Sequence, residues 1–227
     1  MQIGIELVLI SSITTLVLAA FVGIYLLRIW LKQTNRLITD LPLAFAIMIT
    51  FQALQTFVLA LPNLGIVEES MILLRIRSVI IGGSIIPIVG ALFQIWAPRI
   101  QKYHNKMLIA VTAYWLSVTI LAPTEAILMS LVIPLLLIFG IMMIVTFAIT
   151  WKTGRLKEVR SDLMILALIL GLLSQILRVP LMTTSLFYLP NVILTLSVLT
   201  IGVAFTYPNR KSEPQKEPLE AELKAIY

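Results

Sequence analysis

Residues 126–160 read AILMSLVIPLLLIFGIMMIVTFAITWKTGRLKEVR. Nothing is charged from Ala126 to Thr150, and then Lys152, Arg155, Lys157 and Arg160 follow in close succession. A run of about 20 apolar residues crosses a hydrocarbon core of ~30 Å. Trp151 stands at the boundary, where an amphipathic ring prefers the headgroup level. One stretch thus holds a span, an interfacial marker and a basic loop.

The same order repeats outward in both directions. Apolar runs cover 6–31, 41–61, 71–96, 107–122, 125–150, 163–182 and 190–206. Backbone groups in lipid must bond within their own segment, so each run is expected to be a helix. The fold class is therefore an all-α integral membrane protein, a seven-transmembrane helix bundle. Composition agrees: of 227 residues, 59% are hydrophobic and 12% charged, and mean hydropathy is +1.02. Residues 1–207 form the membrane domain and 208–227 a polar tail. Met1 to Glu6 lacks the basic region of a signal peptide and reads as the outer end of the first span.

The 17 Lys and Arg residues fall unevenly. Arg28, Lys32 and Arg36 follow the first span, Arg99, Lys102 and Lys106 the third, and the quoted loop the fifth. Arg210, Lys211, Lys216 and Lys224 follow the seventh. The other side holds only Arg75, Arg77 and Arg178, with Glu6, Glu68, Glu69 and Glu125. Cytoplasmic loops collect Lys and Arg, so the expected topology is amino terminus outside and carboxyl terminus cytosolic, in the cell membrane. Trp30, Trp96 and Trp151 mark the cytosolic ends; Trp115 is an exception. The net charge of +6 is explained by orientation in the bilayer, so no nucleic-acid partner is expected.

The chemistry the chain lacks bounds its function. It has no cysteine and one histidine, His104, in a cytosolic turn. Metal and haem sites need several converging ligands, so no metal and no cofactor are expected. Ser84 has no basic neighbour at membrane depth to activate it. No carboxylate and no lysine lies mid-span, which argues against an aspartyl protease, a retinal Schiff base and proton-coupled transport. The expectation is a non-enzymatic protein.

Polar groups inside the runs are candidate ligand-binding residues. Arg178 lies about 22 Å up the sixth span, where an ionisable side chain marks a functional site by default. Gly171, Ser174, Gln175 and Arg178 share a stripe at helical spacing. The alternative is that Arg178 reaches the outer headgroups or pairs with Glu6 or Glu125. Arg75 and Arg77 stand about 200° apart on one helix, so at most one joins Arg178, and an outward cluster of Arg178 and Arg75 would favour anionic solutes; the alternative is that both are interfacial anchors, with Glu68 and Glu69 as nearby partners. Arg75 shares a face with Ser78 and Gly82, Arg77 with Ser84. Gln52, Gln55 and Thr56 form a polar face in the second span, and Gln94 lies near the end of the third. Asp40 and Asp162 are expected to cap the helices that follow them. Pro87, Pro134 and Pro180 lie inside spans.

Three short matches point to an internal repeat. Trp30-Leu31-Lys32 returns as Trp151-Lys152, Thr39-Asp40-Leu41 as Ser161-Asp162-Leu163, and Leu61-Pro62-Asn63 as Leu189-Pro190-Asn191. They lay spans 1–3 over spans 5–7 in a 3+1+3 parallel plan similar to small sugar transporters of the SWEET type. The tail is expected to be disordered, with a short helix whose Leu219, Leu223 and Ile226 share a face fit for docking a cytosolic partner.

The span pattern, with the basic loop Lys152 to Asp162 and an apolar seventh span ending at Ala204-Phe205-Thr206-Tyr207, resembles the seven-helix sensor modules of bacterial and archaeal histidine-kinase-type signalling proteins. That resemblance implies a sensor or accessory module acting through a separate cytosolic signalling protein, since its members usually carry an output domain. A small uncoupled transporter or channel subunit, taking a small or anionic solute, is the second expectation. A structural subunit or oligomer in a larger membrane complex is the third.

Overall fold

The computed structural model describes residues 2–33, 40–96, 98–154, 156, 159–181, 184 and 186–207. Arg36, Arg155, Lys157 and the tail peptide with Leu219, Leu223 and Ile226 lie outside them, as does the side chain of Gln94. The elements are α1 (Gln2–Leu31), α2 (Leu41–Asn63), α3 (Met71–Trp96), a 3-10 turn (Pro98–Ile100), α4 (Gln101–Leu121), α5 (Glu125–Thr153), α6 (Ser161–Leu181) and α7 (Leu189–Thr206).

Six of the seven helices are long and apolar enough to cross a membrane, which makes the chain a multi-pass membrane protein in contact with lipid. The exception is α4. The expected span 107–122 begins six residues inside this helix, because Gln101 to Lys106 are polar yet helical. The apolar part that remains is about 22 Å long at 1.5 Å per residue, short of the ~30 Å core.

Cross-helix contacts fix the direction of each helix. Ser78 bonds Thr119, a Cβ on Gly82 would meet Trp115, and one on Gly90 would meet Leu108, so residue numbers rise in α3 as they fall in α4. The same antiparallel register joins α6 to α7 through Ser174 with Pro190, Ala167 with Ser197 and Arg160 with Ala204. It joins α5 to α6 through Gly140 with Leu172 and Thr150 with Ser161. By contrast α1 and α7 run parallel: Ser12 meets Asn191, Thr15 meets Thr195, Val22 meets Gly202 and Tyr25 meets Thr206. Helices α2 and α3 neighbour each other, as do α1 and α2, and α5 touches α3 and α4. The result is an up-and-down ring in which consecutive helices are neighbours and α7 closes onto α1.

This ring puts the α1–α2, α3–α4 and α5–α6 turns and the exit from α7 at one end, called the basic end here, with Arg28, Lys32, Arg99, Lys102, Lys106, Lys152 and Arg160. Arg75, Arg77 and Arg178 sit toward the far end. At the basic end Leu26, Phe45, Ile49, Ile88, Leu92, Phe147, Met164 and Phe205 are buried together, and Thr146, Thr150, Ser161 and His104 are buried at the same end. Phe45 meets Phe147 edge-on at 6.0 Å and Phe205 at 5.7 Å.

Local signals explain several helix ends. Gly154, with φ of 61°, closes α5 in the left-handed conformation that glycine adopts without penalty. Thr124 Oγ1 accepts the Ile127 N–H at the start of α5, 3.4 Å away. The expected carboxylate caps are not formed as foreseen. Asp40 does precede α2, with proline in its first turn, but its side chain makes no capping bond. Asp162 lies one residue inside α6; its carboxylate faces the first-turn backbone N–H groups of Asp162 and Leu163 and also pairs with Arg160, whose Nε donates to Oδ1 at 3.2 Å. This hydrogen bond and the carboxylate's charge raise the Arg160 pKa above the ordinary guanidinium value.

The third match of the internal repeat falls at unlike places. Leu61-Pro62-Asn63 ends α2, whereas Leu189-Pro190-Asn191 begins α7. Proline suits both places: it fits a first turn at no cost and is also tolerated near a helix end.

Candidate functional site

Most hydroxyls in the helices are satisfied locally. Thr50, Thr112, Thr153 and Thr200 each donate to the carbonyl four residues back. Such groups need no partner across the bundle and carry no information about a site. The informative ones reach another helix; Tyr25 with Thr206, Thr150 with Ser161 and Trp96 with Thr146 lie at the basic end, and the densest group lies in the far half.

Asn191 is the centre of that group. It is 4% exposed, in the first turn of α7. Its Nδ2 donates to Ser12 Oγ at 2.9 Å and Ser11 Oγ at 3.3 Å, both on α1. With the amide so turned, Oδ1 faces α6 and accepts from Arg178 Nη2 at 3.2 Å. One layer higher, Thr15 Oγ1 and Thr195 Oγ1 lie 2.7 Å apart, and both also reach the Asn191 carbonyl. Ser174 Oγ donates to the Pro190 carbonyl at 2.7 Å. Asn191 drew attention only as part of a repeat; a lone amide in the first turn of an apolar run was the signal of a cross-bundle anchor.

Arg178 therefore sits where the sequence placed it, half-buried near the end of α6, and its fixed partner is an amide rather than Glu6 or Glu125. The expected stripe splits. Ser174 is buried and a Cβ on Gly171 would meet Ser197, while Gln175 is exposed on the bundle surface. Gln175 is one residue, about 100°, beyond Ser174, which carries it off the interior face.

Of the two arginines that open α3, Arg77 has its Nε buried without a hydrogen-bond partner. Arg75 goes elsewhere: its Nη2 donates to the Ala122 carbonyl at 3.1 Å, where α4 ends. A cation at a helix C-terminus meets the negative end of the dipole. The face of Arg75 is the α4 face. Below it Ser78 bonds Thr119 at 2.9 Å and the Ser78 carbonyl accepts Trp115 Nε1 at 2.8 Å. Trp115 is 1% exposed, and a Cβ on Gly82 would lie 2.6 Å from its Nε1. Here packing between α3 and α4 explains the tryptophan that broke the interfacial rule.

The remaining candidates are separate. Gln55 and Thr56 are buried in α2, Thr56 Oγ1 donates to the Gln52 carbonyl at 3.0 Å, and Gln52 Nε2 is buried without a partner. His104 is not in a loop but in the first turn of α4, buried with its ring 6.2 Å from Phe93. Trp96 Nε1 donates to Thr146 Oγ1 at 2.7 Å and ties α3 to α5 at the basic end. No group of three or more His, Cys, Asp or Glu that could hold a metal occurs among the described residues.

No protein-family model matches the chain, and no curated protein or solved structure matches it at a significant level. Functional inference therefore rests on the bundle itself.

Proposed function

We propose that this multi-pass membrane protein is a non-enzymatic sensor or receptor-like module of the cell membrane. Its far end faces outside and its basic end faces the cytosol. The observation that carries this reading is the contrast between the two halves. The far half holds cations and directional hydrogen bonds that a ligand can engage. The basic half is filled by Phe45, Phe147, Phe205 and their neighbours; a void among them, lined by Leu41, Phe45, Ile88, Leu92 and Met143 among others, is about 10 Å³, room for about one water. A ligand bound at the far end would bias helix packing, and the basic loops would present the change to a cytosolic partner. The sequence pattern supports the orientation through its basic loops.

The second reading is a small uncoupled transporter of the 3+1+3 type. It is favoured by one feature: α1–α3 and α5–α7 run in the same sense, with α4 between them. It requires the apolar half to part during transport. A structural subunit of a larger complex is the remaining reading.

Two measurements test the proposal. The chain has no cysteine, so single replacements report cleanly. With the proposed orientation, Thr153→Cys resists impermeant thiol reagents in intact cells and Ile66→Cys reacts; the reverse pattern overturns it. A tagged full-length protein in mild detergent, with and without residues 208–227, then tests the partner. A stoichiometric cytosolic signalling protein supports sensing. Solute flux in reconstituted vesicles with no such partner supports transport instead.

A further inference from the structure

We infer that the exposed face of α4 holds an anionic phospholipid, with its phosphate at Lys102 and Lys106 and an acyl chain in the groove that runs on from them toward the middle of the membrane. The inference goes beyond the sensor reading and does not depend on it, because it concerns the lipid beside α4 and not what the far end binds.

Lys102, Lys106, Ile109, Ala113 and Leu116 follow one another at intervals of three and four, so they share one side of the helix. All five are exposed. The other side of α4 is spent on α3: Trp115 Nε1 donates to the Ser78 carbonyl, Thr119 bonds Ser78, and the His104 ring lies by Phe93. At the basic end of the exposed side two ammoniums converge on one ring. Lys102 Nζ lies 4.9 Å from the centre of Tyr103 and Lys106 Nζ 6.0 Å. An aromatic face attracts a cation but offers no acceptor oxygen. No carboxylate pairs with either lysine among the described residues. Each ammonium carries three N–H donors, and a phosphate has the charge and the oxygens to take them.

The groove beyond the lysines has a volume of about 280 Å³ and is lined by Leu108, Ile109, Thr112, Ala113 and Leu116. Its one hydroxyl, on Thr112, donates to the Leu108 carbonyl and asks nothing of an occupant. Ala113 is the smallest of the five and leaves room between the larger side chains. Charge and dimensions together select the occupant. From Lys106 to Leu116 the helix rises about 15 Å. That is half of the ~30 Å hydrocarbon core, the depth that one acyl chain fills. A phosphate at the lysines and a chain in the groove match both ends. A choline headgroup brings a cation of its own beside the two ammoniums; phosphatidylglycerol brings only the negative charge.

The test is thermal unfolding of the full-length protein in a non-ionic, phosphate-free detergent at constant ionic strength. The probes are phosphatidylglycerol, phosphatidylcholine with the same acyl chains, and glycerol phosphate, which has the charge and no chain. Phosphatidylglycerol should raise the midpoint by about 3 °C or more, and the other two by much less. Lys102→Gln and Lys106→Gln should each weaken the preference for phosphatidylglycerol. Ala113→Phe fills the groove and should remove most of the rise. Arg28→Gln removes a charge at the same end on α1, whose neighbours are α2 and α7, and should keep the preference. Should a variant fail to fold, the wild type alone still decides: an equal rise with both lipids, or with glycerol phosphate, overturns the site. So does an equal loss in Arg28→Gln, which would mean a general attraction of the basic end for anionic lipid. A smaller oligomer in Ala113→Phe with an unchanged lipid response would make the groove a contact between copies of this chain, and overturns the lipid site as well.

Discussion

Phe45 and Asn191 are both buried in one bundle and are held by different physics. Phe45 lies among Phe147, Phe205, Ile88 and Met164 at the basic end. Asn191 spends one side chain on Ser11, Ser12 and Arg178 at the far end. In water, burying Phe45 would draw on the hydrophobic effect. In a bilayer the lipid chains are as apolar as the side chain, so what remains is close packing. Packing is shared among many contacts and is indifferent to charge. The far end depends on few bonds, each with a direction and a charge, and an arriving ligand can compete for any of them. The half that resists solutes and the half that can respond to them are therefore separated along the bundle.

The largest effect is expected from Phe45→Ala. It removes a ring wedged between two others and leaves a space that neither lipid nor water can fill from outside. A loss of about 3 kcal/mol follows, read as thermal unfolding in detergent, with Phe45→Leu recovering much of it. A near-neutral alanine variant would break the comparison, because the basic end would then not be held by shape.

Asn191→Leu should cost about 2 kcal/mol, since it leaves the charged Arg178 donor without its acceptor while keeping the volume. Asn191→Asp sharpens the contrast further. A carboxylate at this position gives Arg178 a charged acceptor in place of a neutral one, so that variant should unfold at the wild-type temperature or above; a clear loss would mean that the bonds from Asn191 to Ser11 and Ser12 outweigh the one from Arg178.

The six long apolar helices were legible because hydrophobicity over ~20 residues is a strong signal in one dimension. The short fourth helix was less so, because helix and apolar run do not coincide: Gln101 to Lys106 continue the helix without the hydrophobicity. Site residues were legible where helical geometry alone decides. The opposed directions of Arg75 and Arg77 followed from 200°, but which one faced α4 required knowing which helix lay on each side. The α4 face was in fact marked by Ser78 and Gly82, small residues that admit Thr119 and Trp115. Gln175 was misplaced by treating a 100° step as part of a stripe. Asn191 was hidden because its partners on α1 lie about 180 positions away, and no local pattern records that α1 and α7 are parallel neighbours.

Thr15→Val is the smallest expected effect and tests the far end from below. Thr15 Oγ1 and Thr195 Oγ1 meet at 2.7 Å, the shortest link between α1 and α7 in this layer. Valine keeps the shape and removes the hydroxyl. Thr195 nonetheless keeps its bond to the Asn191 carbonyl four residues back, at 2.9 Å, so no buried donor is stranded. The expected cost is about 0.6 kcal/mol, the usual size of an interhelical hydrogen bond in a membrane bundle. The gap between this loss and that of Asn191→Leu separates two kinds of polar contact. One is a neutral bond with a local substitute. The other is the acceptor of a fixed charge. Equal losses would mean that the charge on Arg178 adds nothing, and the far end would then be structural glue throughout.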